Sequence, residues 1–328
     1  MYVRRKYSFW MTLIWSKWPF IIGALYGFII YFTSHYFNID FSLPWGPIAI
    51  IGIAVAFYLG FKNNSSYDRT WEARKIWGSI VNNSRTFGAF AISYVQGKNQ
   101  DEIRKELIYR HIAWMTALRH QLRLSKQWEH TENRLNFLYV PTVCEDYNNK
   151  LNKELSCYIS QKEILELEGK SNKATQILKN QSIRLQELRD QDYFEDFRHM
   201  ELSKLIGNLY TDQGKSERIK NFPFPRQYAS VAIWMTYVFC AFIPFGLIDA
   251  IEDKQNWIIY LCPFLSGLIT WIFFLMEKIG DYSENPFEGT YNDVPITSIS
   301  KSIETDLKEM INDPDIPEPY LENNGFLM

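Results

Sequence analysis

Three large apolar side chains, Ile53, Phe57 and Phe61, recur at every fourth position in a stretch otherwise rich in small residues. On a helix this spacing stacks them along one stripe. Gly52, Ala54, Ala56 and Gly60 leave the other faces with little bulk, so neighbouring helices can approach closely. Such a stripe has two uses. It can pack against protein or lipid, or it can ring a narrow axis as a hydrophobic constriction that gates ions by dewetting. Phenylalanine ring edges carry partial positive charge, which gives such a ring a weak preference for anions. Asn63, Asn64 and Ser66 follow at once and could rewet an ion leaving the constriction. Lys62, Asp68, Arg69, Glu72 and Arg74 are mixed in sign, which suits ion pairs between subunits better than a filter of one charge.

Enzyme chemistry finds no comparable constellation. The chain has no GxxxxGK[ST] or GxGxxG loop to cradle phosphate and no HExxH for zinc. The five histidines, His35, His111, His120, His130 and His199, lack metal-ligand spacing with nearby acids. His120, within Leu-Arg-His-Gln-Leu-Arg, reads as a structural residue on a helix. No enzyme, metal site or cofactor is expected.

The elements that would position the stripe are apolar and charge-poor. Mean hydropathy over the 328 residues is −0.23, an average of two unlike populations. Residues 18–37, 47–61, 228–247 and 257–276 are almost free of charge, whereas residues 99–220 are densely charged. Three of the four apolar segments approach the roughly 20 residues that cross a hydrocarbon core of about 30 Å. The second is shorter, but its helix can run on through Trp71 if its lower half leaves the bilayer inside an assembly. Four membrane helices and one large aqueous helical region are therefore expected.

Met1 to Lys6 is basic and precedes an apolar run, but that run is too long for a signal core and no small-residue cleavage site follows. Residues 36–47 lack Lys and Arg, whereas Arg4, Arg5 and Lys6 flank the other end of the first span. The positive-inside rule then puts the N-terminus in the cytoplasm, and four crossings return the C-terminus there. Residues 249–256, with Lys254 alone as a basic residue, become the second external turn. Trp15, Trp18, Trp45 and Trp257 sit at span ends, where indoles favour the headgroup level or simply pack against protein. A formal charge of −2 argues against a nucleic-acid partner. Cys144, Cys157, Cys240 and Cys262 show no CxxC spacing and read as free thiols, the last two as packing residues.

The chain divides into residues 1–85 (first two spans with the stripe), 86–222 (aqueous helices), 223–278 (last two spans) and 279–328 (a loop, a helix and a tail). Ile103, Leu107, Ile108, Ile112, Met115 and Leu118 predict an amphipathic helix, and residues 177–209 predict a second. Residues 144–173 read as a loop-rich excursion. Pro223 and Pro225 mark the return to the membrane, since proline is tolerated in a helix's first turn. Residues 296–311 have helical spacing, and residues 313–320, with three prolines and three acids, should be extended, laid along a neighbour's surface.

The segment Leu59-Gly-Phe-Lys-Asn-Asn-Ser-Ser-Tyr-Asp-Arg-Thr-Trp-Glu-Ala-Arg74, with Trp77-Gly78 and Arg85, resembles the signature of the bestrophin family of ion channels, bacterial branch. Ala117-Leu-Arg-His-Gln-Leu-Arg123, Ser216-Glu-Arg-Ile, Pro223-Phe-Pro225, Glu284-Asn-Pro-Phe287, Asn292-Asp-Val-Pro295 and Ile303-Glu304 with Leu307 agree, in the family's order. The resemblance implies an all-α integral membrane protein: a homopentamer around one pore, with four membrane helices per subunit and a large cytosolic helical domain. It also implies that Ile53, Phe57 and Phe61 form the pore neck, and that Phe197 is a second constriction at the cytosolic exit.

Animal members respond to calcium through acids after Asn-Pro-Phe. Here only Glu288 and Asp293 are offered, so the resemblance implies a loop that clasps the membrane helices rather than a calcium switch. Both anion and monovalent cation channels occur in the family. A chloride-type anion channel in the inner membrane is the expectation, and a sodium-type cation channel of the same fold is the alternative. Its partners would be other copies of the chain, the bilayer and small permeant ions. A membrane-anchored scaffold binding a partner protein is a reading of another class. A secondary transporter is disfavoured by the lack of an inverted repeat.

Overall fold

A computed structural model of the chain describes residues 1–130, 143–252, 258–323 and 325–328. The sequence folds into α1 (Phe9–Phe37), α2 (Trp45–Tyr94), α3 (Gln100–Leu122), α4 (Leu151–Leu155) and α5 (Gln161–Leu167). Next come α6 (Lys173–Asp190), α7 (Asp196–Asn221), α8 (Arg226–Glu252), a 3₁₀ turn (Ile258–Leu261), α9 (Cys262–Asp281) and α10 (Ile296–Met310). Helices α1, α2, α8 and α9 are long and apolar enough to cross a bilayer. Of the expected turn at 249–256, residues 253–256 lie outside the described residues, as does Trp257.

The four spans pack through small residues. Gly23 and Gly27 on α1 face Thr270 and Ser266 on α9, and Gly267 sits under the Phe20 carbonyl and Ala24. Ser266 Oγ donates to the Gly23 carbonyl at 3.0 Å, and Trp271 Nε1 donates to Ser16 Oγ at 2.7 Å. A glycine seam lets two backbones meet where hydrophobic exclusion gives no help, and the hydrogen bonds add to that contact. Helix α2 packs on α8 through Ile48, Val55, Leu59, Phe239, Ile243 and Leu247. Its first turn is capped from across the chain, because Trp45 N donates to Asp249 Oδ2 at 2.9 Å. A carboxylate there satisfies an orphan amide and opposes the helix dipole. Cys240 and Cys262 are buried in this packing, Cys144 is half-buried and Cys157 is exposed; all four are free.

Helix α2 is 50 residues long, about 75 Å at 1.5 Å per residue. It runs on through Trp71 as expected and continues past residue 85. Its polar half joins α3, α6, α7 and α10 around a second core that includes Trp77, Phe87, Leu107, Trp114, Leu185 and Leu209. Helix α3, expected to be amphipathic, is buried on every side from His111 to His120. The helix expected over 177–209 is two, α6 and α7. Asp192 takes a left-handed turn (φ 60°) between them, and a short polar side chain tolerates that conformation. Residues 144–173 contain the short helices α4 and α5, whose Leu151, Leu155, Ile164 and Leu167 enter the core. Pro223 and Pro225 fall between α7 and α8, as their backbone chemistry requires.

The two chain ends meet. Val3 N donates to the Gly325 carbonyl at 2.9 Å and Leu327 N to the Met1 carbonyl at 2.8 Å. The tail is anchored first at Asp313, which accepts from Tyr109 Oη at 2.7 Å and pairs with Lys105 at 2.8 Å.

Candidate functional site

The two faces of α2 differ sharply. Gly52, Val55, Leu59, Lys62 and Ser66 are buried against the other spans. Ile53, Phe57 and Phe61 are 70%, 68% and 48% exposed, although they are among the bulkiest apolar residues of the helix. The Phe57 and Phe61 rings meet edge to face, with centroids 4.6 Å apart. That T-shaped contact fixes the direction of both rings along the stripe. The same face continues through Asn64, Asp68, Trp71 and Lys75, all exposed. One subunit thus presents an uncovered ribbon that turns from apolar to polar directly after Phe61.

Of the three polar residues expected to follow the stripe, Asn64 lies on the exposed face, whereas Asn63, half-buried, turns about 160° away from Phe61 towards Gly280 of α9. Ser66 departs from the expectation: it is fully buried. Five residues separate it from Phe61, which carries it about 140° around a helix of 3.6 residues per turn. The charges also differ from the intersubunit pairs read from the sequence. Lys62 is buried and pairs within the subunit, with Glu277 at 2.7 Å and Asp281 at 3.8 Å. Arg69 donates to the carbonyls of Ile219, Phe222 and Glu284, near the end of α7 and beyond α9. Glu72 pairs with Lys75 one turn on, at 2.7 Å. The first two cations brace the ribbon from behind.

Phe197 is in the first turn of α7 and is 80% exposed. The other end of α7 is held by Arg69, while its start lies near the end of α2, where Arg198 Nη1 donates to the Tyr94 carbonyl at 3.4 Å. Phe61 and Phe197 are therefore separated by most of the polar half of α2, roughly 50 Å at 1.5 Å per residue.

Below the ends of α2 and α9, the loop after Asn285-Pro286-Phe287 is fixed by internal cations. Asp293 pairs with Arg123 at 2.5 Å and accepts from Gly289 N and Thr290 Oγ1. Glu288 accepts from His130 N and contacts its Nδ1 at 3.2 Å, while His130 Nε2 lies 2.8 Å from Asp281 at the end of α9. Burial alone would lower the His130 pKa, but its hydrogen bonds to Asp281 and Glu288 raise it from 6.5 to about 10. The imidazolium ties α9 to the loop. Nothing in the local sequence marked His130 for this, because its partners lie more than 150 residues away. Two carboxylates already neutralised by Arg123 and His130 offer a divalent cation few free oxygens. No cluster of metal-ligating side chains occurs among the described residues.

His120 is buried with Nε2 3.2 Å from Glu154. Its neighbour Arg119 pairs with Glu145 at 2.7 Å and also with Glu154. Burial raises the Glu145 pKa, but Arg123 and Arg119 overcome this and hold it at about 2.

Residues 13–309 match the sequence profile described as "Bacterial/Fungal Bestrophin protein". A voltage-dependent anion channel-forming protein of Ralstonia nicotianae is 28% identical over 328 residues, covering 96% of each chain. A protein of the same description from Escherichia coli is 25% identical over 91% of this chain and 87% of its own. Among solved structures, the crystal structure of a bacterial bestrophin homologue from Klebsiella pneumoniae superposes with a TM-score of 0.75 at 22% identity. The match covers 90% of this chain and 98% of that one, and it shows a shared fold.

Proposed function

Since the chain belongs to the bacterial and fungal bestrophin family, we propose that it forms a passive channel for chloride or other small anions. The observation that carries this reading is the exposed stripe of Ile53, Phe57 and Phe61 on a helix whose opposite face is fully packed. Uncovered apolar side chains on a span can face lipid or other copies, and the exposed polar continuation through Asn64 and Asp68 on the same face favours other copies. In a homopentamer with α2 nearest the axis, they form the neck. An ion entering that neck sheds water and gains few ligands, so the rings limit conduction until they part or wet. Asn64 on the same face returns hydrogen-bonding partners to the ion below the neck. Phe197, exposed at the start of α7, makes the second constriction, at the cytosolic exit. The described anion channel-forming relatives favour anions over the cation alternative, and both termini and the polar helical body face the cytoplasm of the inner membrane.

The test is single-channel recording of the purified protein in a planar bilayer under a chloride gradient. The reversal potential should follow chloride, and Phe57→Ala or Phe61→Ala should raise conductance several-fold by widening and wetting the neck. A reversal potential that follows sodium would make it a cation channel. Silence in both wild type and neck variants would overturn the channel reading itself.

A further inference from the structure

A cavity of about 590 Å³ opens beside α2, where the basic N-terminal segment passes under the last turn of α9. Its charged lining is Arg4, Arg5, Lys6 and Arg74, and no Asp or Glu lines it. Among the described residues none of the four forms an ion pair. The nearest polar contact of Arg74 is the Met1 sulfur at 3.5 Å. Several other arginines are paired: Arg85 with Asp306, Arg110 with Glu163 and Arg123 with Asp293. Four unpaired cations gathered around one concavity repel each other and are stabilised by an anion between them. The space far exceeds a monatomic ion, and guanidinium forks match the paired oxygens of a phosphate.

The position selects the kind of phosphate. Lys6 precedes the first residue of α1 by three positions, so the cavity lies where a span leaves the bilayer. Phe9 and Trp10, in the first turn of α1, are 65% and 67% exposed with their rings edge to face. Tyr67 and Trp71 stack nearly parallel on the α2 wall, also exposed. Aromatic side chains around a basic hollow at a span end suit an amphiphile, with headgroup inside and acyl chains along the apolar rim. We propose that this cavity binds the phosphodiester headgroup of an acidic phospholipid from the leaflet at the basic end of the spans. Asn64 and Trp71 of its lining also belong to the exposed ribbon of α2, so the site borders the proposed ion pathway, but its existence does not depend on which ion the channel passes.

Native mass spectrometry of the full-length protein, released from detergent with dioleoyl phosphatidylglycerol or dioleoyl phosphatidylcholine added, tests this. Wild type should retain phosphatidylglycerol preferentially. Combined Arg4→Gln, Arg5→Gln and Lys6→Gln should weaken retention roughly a hundredfold, given the usual contribution of each basic residue at a membrane surface. Arg74→Gln alone, at an exposed position, should weaken it about fivefold and decides the matter if the triple variant fails to fold. Lys179→Gln, on the exposed face of α6, should bind as wild type does. Equal retention of the two lipids, or retention unchanged in the Arg74 variant, would overturn the proposal. Displacement of phosphatidylglycerol by millimolar inorganic phosphate would mark a soluble-anion site and overturn the lipid assignment.

Discussion

Lys62 follows Phe61 directly, yet the helix turns the two side chains about 100° apart and they do opposite jobs. One is exposed and apolar, while the other is buried with its charge matched by Glu277. The same economy governs the loop beneath: Arg123 and Asp293 are both about 1% exposed. Removing one partner of a buried pair strands the other charge, so Arg123→Gln should lower stability by about 3–5 kcal/mol in detergent denaturation. His130 gives a pH dependence of definite sign. Folding raises its pKa from 6.5 to about 10, so its stabilising effect is complete below pH 6.5 and is lost as pH rises towards 10. Melting temperature should therefore fall through that interval, and His130→Gln should flatten the slope. Glu145 acts at the other end. Its contribution is full above its ordinary 4.5 and disappears as pH falls towards 2.

At the scale of elements, α2 joins the two bodies of the subunit without a break and lends a different face to each. No proline interrupts residues 48–94, so no proline stops the helix where the lipid-facing composition ends. The α1–α9 seam depends on the absence of a side chain at Gly267, where a Cβ would lie 2.8 Å from the Phe20 carbonyl oxygen. Backbone cannot yield as a flexible side chain does, so Gly267→Ala should cost about 1–3 kcal/mol. Gly78 has open space at its Cβ position. Gly78→Ala should be neutral or stabilise by up to about 1 kcal/mol through helix propensity. Paired thermal melts in one detergent check both outcomes.

At the scale of the whole molecule, one subunit leaves a ribbon of apolar surface that continues into exposed polar residues. The proposed pentamer covers it. Mass measurement of the detergent-solubilised protein should give five copies of the 38.9 kDa chain. A monomer or dimer would leave no axis for the neck, and would favour the scaffold reading. The meeting of residues 1–3 with 325–327 bears on stability at this scale as well. Phe326 and Met328 are about 2% exposed, so loss of the tail would uncover apolar surface beside Tyr2 and Tyr291.

What the sequence determined by itself is whatever periodicity and composition encode locally. Four charge-poor spans, the Ile53/Phe57/Phe61 stripe, the prolines between α7 and α8, and the ordered motifs that resemble the family were all legible there. The stripe was legible because a four-residue repeat of bulky residues survives in any helix, whatever surrounds it. The tertiary structure alone decided which face of α2 is covered, and therefore that Lys62 and Ser66 belong to the subunit's interior. It also decided that α3 is buried all round from His111 to His120 and that His130 joins Asp281 to Glu288. These depend on which residues distant in sequence arrive beside one another. A buried charge looks the same in sequence as an exposed one until its partner is in place.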